Sequence, residues 1–581
     1  MDSRVVVEIA RRGRLVVGEP YFTPGVPIVL DRRGLADVGP GELAVVATGR
    51  GRARLERALG PAESIENVLE ALLEHEGLRG GFEPYDPPRP ALKGRVDLRD
   101  LVAFTIDPET AKDFDDAVSA RREGDGVRIW VHIADVTAFL PAGSALDHGA
   151  ARRALSVYVP GRVAPMLPPE LSDDLCSLRP HQDRLCVTVE VPFDGSLDPG
   201  EPAFYRSMIR SRERLTYGRA EAILAGADDA AAELREALGL AERVALELRR
   251  RRFRRGALRI SSSEIAFSFD GRGGVERAWL EAEPHAHALV EELMILANEA
   301  VAGLLGSRRR EALYRVHERP DPQAIGHLLA KLADLEVPTP PAPDDETLTP
   351  AQAARLAAAV SERVSEYVER AGRGREAFPT MVLRALKQAR YDPRNLGHSG
   401  LASPAYCHFT SPIRRYPDVV CHRSLLRELG VADEPLPDDL PEEAEHCSTQ
   451  ERLAADVEYR ADDICLAWLL EEVLFERGWD EVFEGEITGL IGSGLFARFG
   501  DVFEGFLPAR RLPGDYFELN SLGTALVGRR TNRTYRLGDP IEVHVESISR
   551  EEGKVELRPV ERPRTGATRR GRPSGERRRG R

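Results

Sequence analysis

The amino-acid sequence predicts a multidomain α+β protein in which a large mixed region is flanked by a small β-barrel at each end. Three observations lead there. At 581 residues the chain is too long for a single hydrophobic core. Short β-rich runs separated by Gly and Pro turns occupy both ends, whereas between them strand-like runs mix with long helical patterns. A composition of 42% hydrophobic and 30% charged residues is ordinarily globular, so disorder is expected only in segments.

The elements follow in order. Residues 1–60 carry β-rich runs at Val5–Val7, Leu15–Val17, Ile28–Leu30 and Leu43–Val46, the pattern of a small barrel. Residues 61–92 read as a helix and a connector. The spacing predicts a helix over 61–77 with Ile65, Val68, Leu69 and Leu72 on one face and Gly77 as its stop, followed by a Pro-rich stretch at Pro84–Pro90. Residues 93–478 form the mixed central domain, interrupted by loop-like stretches at 338–345 and 433–443. Residues 479–560 return to short β runs, such as Leu495–Phe499 and Ile541–Ile548, and predict a second barrel. Residues 561–581 have almost no apolar side chains and are expected to be disordered.

Charge and targeting narrow the classes. The net charge of −14 is an average over unlike parts: from Arg562 to Arg581 nine arginines and one glutamate give +8, leaving −22 elsewhere. Phosphate binding depends on local basic clusters rather than on the sum, so RNA is not excluded. The best candidate for a membrane span, Ala288–Leu305, contains Glu291, Glu292, Asn298 and Glu299 and reads as a core helix instead. With no signal-peptide pattern either, a soluble cytoplasmic protein is expected. The six cysteines form no C-x-x-C pair and are expected to be reduced, buried thiols.

The densest chemistry lies at Phe104–Ala117, FTIDPETAKDFDDA. A β-favouring trio ends at Asp107, Pro108 stops the strand, and the chain loops back to Asp113, Asp115 and Asp116. Four carboxylates this close repel one another unless cations neutralise them. Hard ions such as Mg²⁺ suit these oxygen ligands, and two ions about 4 Å apart can activate a water and stabilise the leaving oxygen of an in-line phosphoryl displacement. A calcium loop fails on spacing, since the sixth position from Asp113 is Val118 and the twelfth is Gly124. A solvated acidic turn remains open on this motif alone.

Two basic segments could complement it. Residues 408–423 read HFTSPIRRYPDVVCHR: Ser411 offers a hydroxyl, Arg414 and Arg415 offer planar forks for phosphate oxygens, and Tyr416 offers an aromatic face for a base or sugar. An ordinary helix start with a capping serine is the bland alternative. The run Arg249–Arg255, RRRRFRR, places six arginines around Phe253, explained either by the dipole at a helix end or by phosphate tracking.

With these segments in view, the sequence resembles the ribonuclease II/ribonuclease R (RNB) family of exoribonucleases, as a short ribonuclease R-like member. FTIDPETAKDFDDA is similar to the family signature, and SVYVPGRVAPMLPPELSDDLCSL (156–178), HALVEELMILANEAVA (287–302), residues 386–423 and an S1-like C-terminal module follow in the family's order. The resemblance implies a central RNB catalytic domain between an N-terminal OB/cold-shock-like barrel and a C-terminal S1 (OB-fold) barrel. It implies processive 3′→5′ hydrolysis of single-stranded RNA with a free 3′ end to 5′-mononucleotides, by a monomer using Mg²⁺, with Mn²⁺ as an alternative.

Residue by residue, Asp107, Asp113, Asp115 and Asp116 match the catalytic, metal-binding carboxylates. Asp107 and Asp116 would be direct ligands, and Asp115 the most sensitive to loss. Tyr158 matches the tyrosine that stacks on the terminal nucleotide, and Arg414 the arginine that grips the phosphate, with Ser411 and Arg415 beside it. Glu291 or Glu292 would contact ribose, and Glu458 matches a glutamate near the site. Phe496 occupies a stacking position of the S1-like barrel, where Ser493 stands in place of a usual aromatic. His132 and Asp135 are expected in a buried strand, His132 as a core histidine. An RNA-binding protein with a dead catalytic domain and a phosphorolytic or DNA-directed nuclease are the alternatives.

Overall fold

The computed structural model describes residues 3–31, 38–49, 51–259, 264–281, 285–341 and 348–560. The Arg-rich tail and residues 342–345 of the expected loop at 338–345 lie outside them.

The N-terminal region is a five-stranded sheet: Ser3–Arg12 pairs antiparallel with both Leu15–Pro20 and Glu42–Thr48, Ile28–Val29 and Arg54–Pro61 flank these, and a parallel bridge between Leu30 and Ala53 brings the two edges together. That connectivity is OB-like. Its first strand reads Val5-Val6-Val7 rather than alternating because both faces are covered: Val7 and Ile9 point into the barrel, while Val6 packs under the helix Ile65–His75. That helix buries Ile65, Val68, Leu69 and Leu72, as the spacing predicts. It starts four residues later than expected because the last barrel strand runs on through Pro61.

The central domain is built on a seven-stranded sheet in the order Glu213–Leu215, Ala103–Ile106, Asp116–Glu123, Gly126–Ala134, Asp183–Phe193, Ala203–Arg210, Val96–Asp97. Its middle is antiparallel and its two edge pairings are parallel. The helices Ala232–Arg254 and His285–Ser307 cover one face, packing Leu238, Ala241 and Leu293 on Val118, Ile129 and Val189. The helices Tyr416–Glu428 and Leu440–Arg477 contribute to the core on the other. Gly126–Ala134 is therefore buried on both sides. His132 is satisfied there by Thr188 Oγ1 at 2.9 Å and Ser119 Oγ at 3.1 Å, and burial lowers its pKa to about 3, so it is a neutral core histidine as expected. Asp135 is likewise structural: burial opposes its charge, but Arg206 and Arg95 outweigh that and hold its carboxyl low.

The 38-residue helix Leu440–Arg477 is about 57 Å long at 1.5 Å per residue and ties the domains together. It begins inside the stretch 433–443 expected to be loop, with Asp439 accepting from the Glu442 amide at its start. One continuous core joins it to Leu69 and Leu72 of the N-terminal helix and to Phe483 and Leu495 of the C-terminal barrel. That barrel closes through five strands, Phe483–Ile491, Gly494–Phe499, Phe503–Pro508, Lys554–Pro559 and Pro540–Ser549, with one parallel contact at Phe506–Glu556. All six cysteines are free and buried. No helix among the described residues is long and apolar enough to cross a membrane.

Candidate active site

The strand Ala103–Ile106 is wholly buried and ends where Pro108 can no longer donate to a ladder. Asp107 closes it, its amide donating to Leu215 O at 3.0 Å. The chain re-enters the sheet at Asp116, in the antiparallel neighbour, so Asp107 and Asp116 lie at the same end of adjacent strands. The loop between them is pinned from the 156–178 motif. Ser177 Oγ accepts from the Phe114 amide at 3.0 Å and donates to Lys112 O at 2.7 Å, and the Leu178 amide donates to Phe114 O at 2.9 Å.

Each carboxylate then meets a different environment. Asp115 is 4% exposed; its Oδ1 accepts the Ile413 amide at 2.8 Å and its Oδ2, without a hydrogen-bond partner, faces Arg414 Nε at 3.6 Å. Burial pushes its carboxyl well above the usual range, with Arg414 opposing. Burial and then the neighbouring Asp116 raise Asp107 to about 7, and its Oδ2 is also buried without a partner. Asp116 is raised to about 6 by burial, against Arg414 and Arg415. Asp113 accepts the Tyr158 phenol at 2.7 Å.

Tyr158 stands on a short hairpin, Val157–Val159 with Arg162–Ala164, and keeps 36% of its surface exposed. Its amide donates to Glu458 Oε1 at 2.8 Å, so the long helix fixes the strand that presents the ring. Arg414, 45% exposed, donates to Ser411 Oγ at 3.1 Å, and its carbonyl accepts the Ser156 amide at 2.9 Å. The aspartates, Tyr158, Arg414, Ser411 and Glu458 thus gather at one end of the central sheet.

Two expectations fail on burial and pairing, and the choice between two glutamates narrows on the same grounds. Arg415 offers no free fork: it is bidentate to Asp418, at 2.9 and 2.8 Å, at the N-terminus of helix Tyr416–Glu428. Tyr416 presents no face for a base, because its ring is 3% exposed in the core and its hydroxyl bonds Asp147. Glu292 is 2% exposed and held by Arg252, whose Nε and Nη2 donate to it at 3.0 and 2.5 Å, so of the two glutamates only Glu291 stays accessible. Phe496 does lie on the C-terminal barrel surface, half-buried, and Phe506 packs against it at 5.1 Å across the strand pair.

Two neighbours escaped sequence reasoning. Tyr217, against His287 at 5.5 Å, has its phenol pKa raised by burial and then by Asp116 and Asp107; no spacing marked it. Arg214 stacks over Phe114, hydrogen-bonds Pro108 O and opposes the protonation of Asp107. Its strand lies beside Ala103–Ile106 only through a parallel pairing distant in sequence.

Among the described residues no three His, Cys, Asp or Glu side chains converge as a ready-made metal cage. The carboxylates instead offer buried, unpartnered oxygens on Asp107 and Asp115. That fits Mg²⁺, which takes one or two carboxylates and completes its shell with water and substrate phosphate.

Residues 95–430 match the RNB domain and residues 478–558 the S1 RNA binding domain. The chain belongs to the RNB family. It is 37% identical over 487 residues to ribonuclease R of Escherichia coli (strain K12), covering 81% of this chain and 58% of that one. Against ribonuclease R of Aquifex aeolicus (strain VF5) it is 36% identical over 491 residues, covering 82% and 67%. The chain therefore spans somewhat more than half the length of the E. coli relative. Among solved structures, Mycoplasma genitalium RNase R in complex with ribose-methylated single-stranded RNA superposes with a TM-score of 0.85 at 24% identity, over 96% of this chain and 90% of that one. Yeast Ssd1, a pseudonuclease, superposes at 0.66 and 18% identity, over 90% and 67%. These likenesses establish the RNB fold, and the second leaves activity to be argued from the site.

Proposed function

We propose that this RNB-family chain is a processive 3′→5′ hydrolytic exoribonuclease that degrades single-stranded RNA to 5′-mononucleotides. The observation that carries the reading is the convergence of three chemistries: an aromatic ring on Asp113, a guanidinium on Asp115, and a buried carboxylate pair, Asp107 and Asp116. Asp107 and Asp116, with Asp113 and Asp115, would hold Mg²⁺, or Mn²⁺, which accepts the same donors. When bound, the metal supplies Lewis-acid stabilisation of phosphoryl charge and an acidified water, in a two-ion arrangement.

The protein's own part is positioning. Tyr158 stacks on the terminal base, and Glu458 keeps the ring's strand in register. Arg414, aimed by Ser411, donates to the scissile phosphate, where charge develops during displacement. Asp115 keeps that guanidinium beside the carboxylates without a bidentate pair that would occupy its fork. Glu291 accepts from ribose hydroxyls, which DNA lacks at the 2′ position. Residues 479–560 deliver the strand, Phe496 and Phe506 stacking bases as they pass.

The test is 5′-labelled single-stranded RNA incubated with the protein and Mg²⁺, beside Asp115→Asn and EDTA controls. Stepwise shortening to a small limit product, lost in both controls and absent with DNA, is expected. Internal cuts, a requirement for free phosphate, or no turnover would overturn the reading.

A further inference from the structure

Arg250, Arg251 and Arg254, in the arginine run at the end of helix Ala232–Arg254, are not used by the site described above, unlike Arg252, which holds Glu292. With Arg243, earlier on the same helix, they line an open cleft of about 610 Å³ with the hairpin turn Gly195–Asp198, the four arginines facing two carboxylates, Glu247 and Asp198. The cleft lies at the end of the central sheet opposite Asp107 and Asp116, since the turn follows Phe193, whose partner Val127 is far along its strand from Ile133 beside Asp116. An eight-residue strand separates the two ends, roughly 25 Å.

The acids do not neutralise the cleft. Glu247 is shared by Arg250 at 2.7 Å, Arg251 at 2.6 Å and Arg254 at 3.8 Å, while Asp198 takes Arg251 at 2.7 Å. Arg243 has no ion-pair partner among the described residues, and the side chains of Arg250 and Arg254 are 59% and 60% exposed. Each guanidinium carries five N–H donors in a planar fork, so donors are left over on three of the four. Helix-dipole complementarity accounts for cations in the last turn, but Arg243 lies about three turns before the helix end. No aromatic side chain lines the cleft, so nothing there reads a base, and its open form admits a strand passing across it.

We propose that this cleft is a second RNA site, which takes the sugar–phosphate backbone of a substrate long enough to reach it, independently of sequence. The proposal rests on the reading of the chain as an RNA-degrading enzyme. It assigns Arg243, Arg250 and Arg254 to phosphates distant from the scissile bond, so that long RNA is held at two places while its 3′ end is at the carboxylates.

The test compares full-length Asp115→Asn protein with the same protein carrying Arg243→Glu, Arg250→Glu and Arg254→Glu. Equilibrium binding of a long and of a short single-stranded RNA is measured across salt concentrations. Three lost phosphate contacts should reduce the slope of log Kobs against log salt by about 2 for long RNA, at roughly 0.7 per contact. Short-RNA binding should be unchanged, as should short-RNA cleavage when the three substitutions are placed in the active protein. An unchanged slope on long RNA, or an equal loss on both lengths, overturns the proposal. Inorganic tripolyphosphate is the second probe: if the substitutions abolish its binding but leave long-RNA binding intact, the ligand is a free oligophosphate and the RNA assignment falls. A parent that binds neither RNA overturns the proposed function itself, before any variant is compared. Should charge reversal lower the melting temperature, the three Arg→Gln substitutions replace it, with the same outcomes.

Discussion

Removing the Glu458 carboxylate should impair catalysis through Tyr158, although Glu458 reaches no carboxylate of the site. Its Oε1 accepts the Tyr158 amide at 2.8 Å, half-buried, from the middle of the long helix. A hydrogen bond to a charged group contributes about 1.5–3 kcal/mol, and the amide left behind by Glu458→Ala has no replacement acceptor in the strand's own pairing. If that energy holds the ring where a terminal base must stack, single-turnover cleavage falls by about 10- to 150-fold, at 1.36 kcal/mol per tenfold. The limit product should become longer and less uniform, because the clamp defines where shortening stops. Glu458→Gln keeps an acceptor oxygen without the charge and should recover most of the loss. The assay is single-turnover decay of a 5′-labelled oligomer with product lengths resolved, beside thermal unfolding of each variant. An Ala variant with wild-type rate and limit product refutes the positioning argument. So does a Gln variant as impaired as Ala, which would point to a different role for the charge.

Tyr158→Ala should lose at least as much single-turnover rate as Glu458→Ala, keep a residual turnover because the carboxylates and Arg414 remain, and lengthen the limit product, seen on the same gels. Phe496→Ala and Phe506→Ala should each weaken single-stranded RNA binding by about 1–3 kcal/mol and leave cleavage of already bound RNA unchanged, measured by titration and by single turnover at saturation. The carboxylate pair predicts an unusual pH dependence. Asp107 and Asp116 are raised to about 7 and about 6 from 3.8, so between pH 4 and 7 the folded protein binds more protons than the unfolded chain. Metal-free stability should then fall as pH rises through that window. Mg²⁺, which needs the ionised forms, should stabilise more at pH 8 than at pH 5. Denaturant unfolding with and without Mg²⁺ checks this, and Asp107→Asn should flatten the pH dependence and raise metal-free stability at pH 8 by on the order of 1 kcal/mol. An Asn variant that keeps the wild-type pH profile would refute it.

How much was legible in the sequence depended on how local each signal was. The barrels, the helix at Ile65–His75 and the strand ending at Asp107 rest on periodicity and Pro108, which are read within a few residues. The return of the chain from Asp107 to Asp113, Asp115 and Asp116 was legible around Pro108, whereas singling out Asp107 with Asp116 rested on the family resemblance. Arg415 and Tyr416 were misread, and Glu292 stood level with Glu291, for one reason: residue type says what a side chain could bind, but pairing partners decide what it has left to offer. Asp418 lies three residues from Arg415 and could have been suspected; Arg252 and Asp147 lie forty and more than two hundred residues from Glu292 and Tyr416 and could not. Tyr217, Arg214 and Phe506 reach their places through tertiary packing or strand register.

The fold does not decide whether the chain is an enzyme, since a pseudonuclease shares it. The electrostatics bear on that question more directly. Asp107, Asp115 and Asp116 are all raised by burial, and Asp107 and Asp115 each leave a buried oxygen without a hydrogen bond. Buried acceptors left unpaired cost about 1–3 kcal/mol each, more when charged. Nothing in the packing requires this, because neighbouring core positions such as Phe114 and Ala117 are apolar and fully accommodated. A structural acidic turn would have turned these carboxylates to solvent, or paired them as Asp135 is paired with Arg95 and Arg206. Arg414 could have formed such a pair with Asp115, yet its Nε stands 3.6 Å away and its side chain remains 45% exposed. The site therefore carries an instability that a divalent cation and a phosphate together would relieve, the cation at the carboxylates and the phosphate at the half-exposed Arg414 guanidinium.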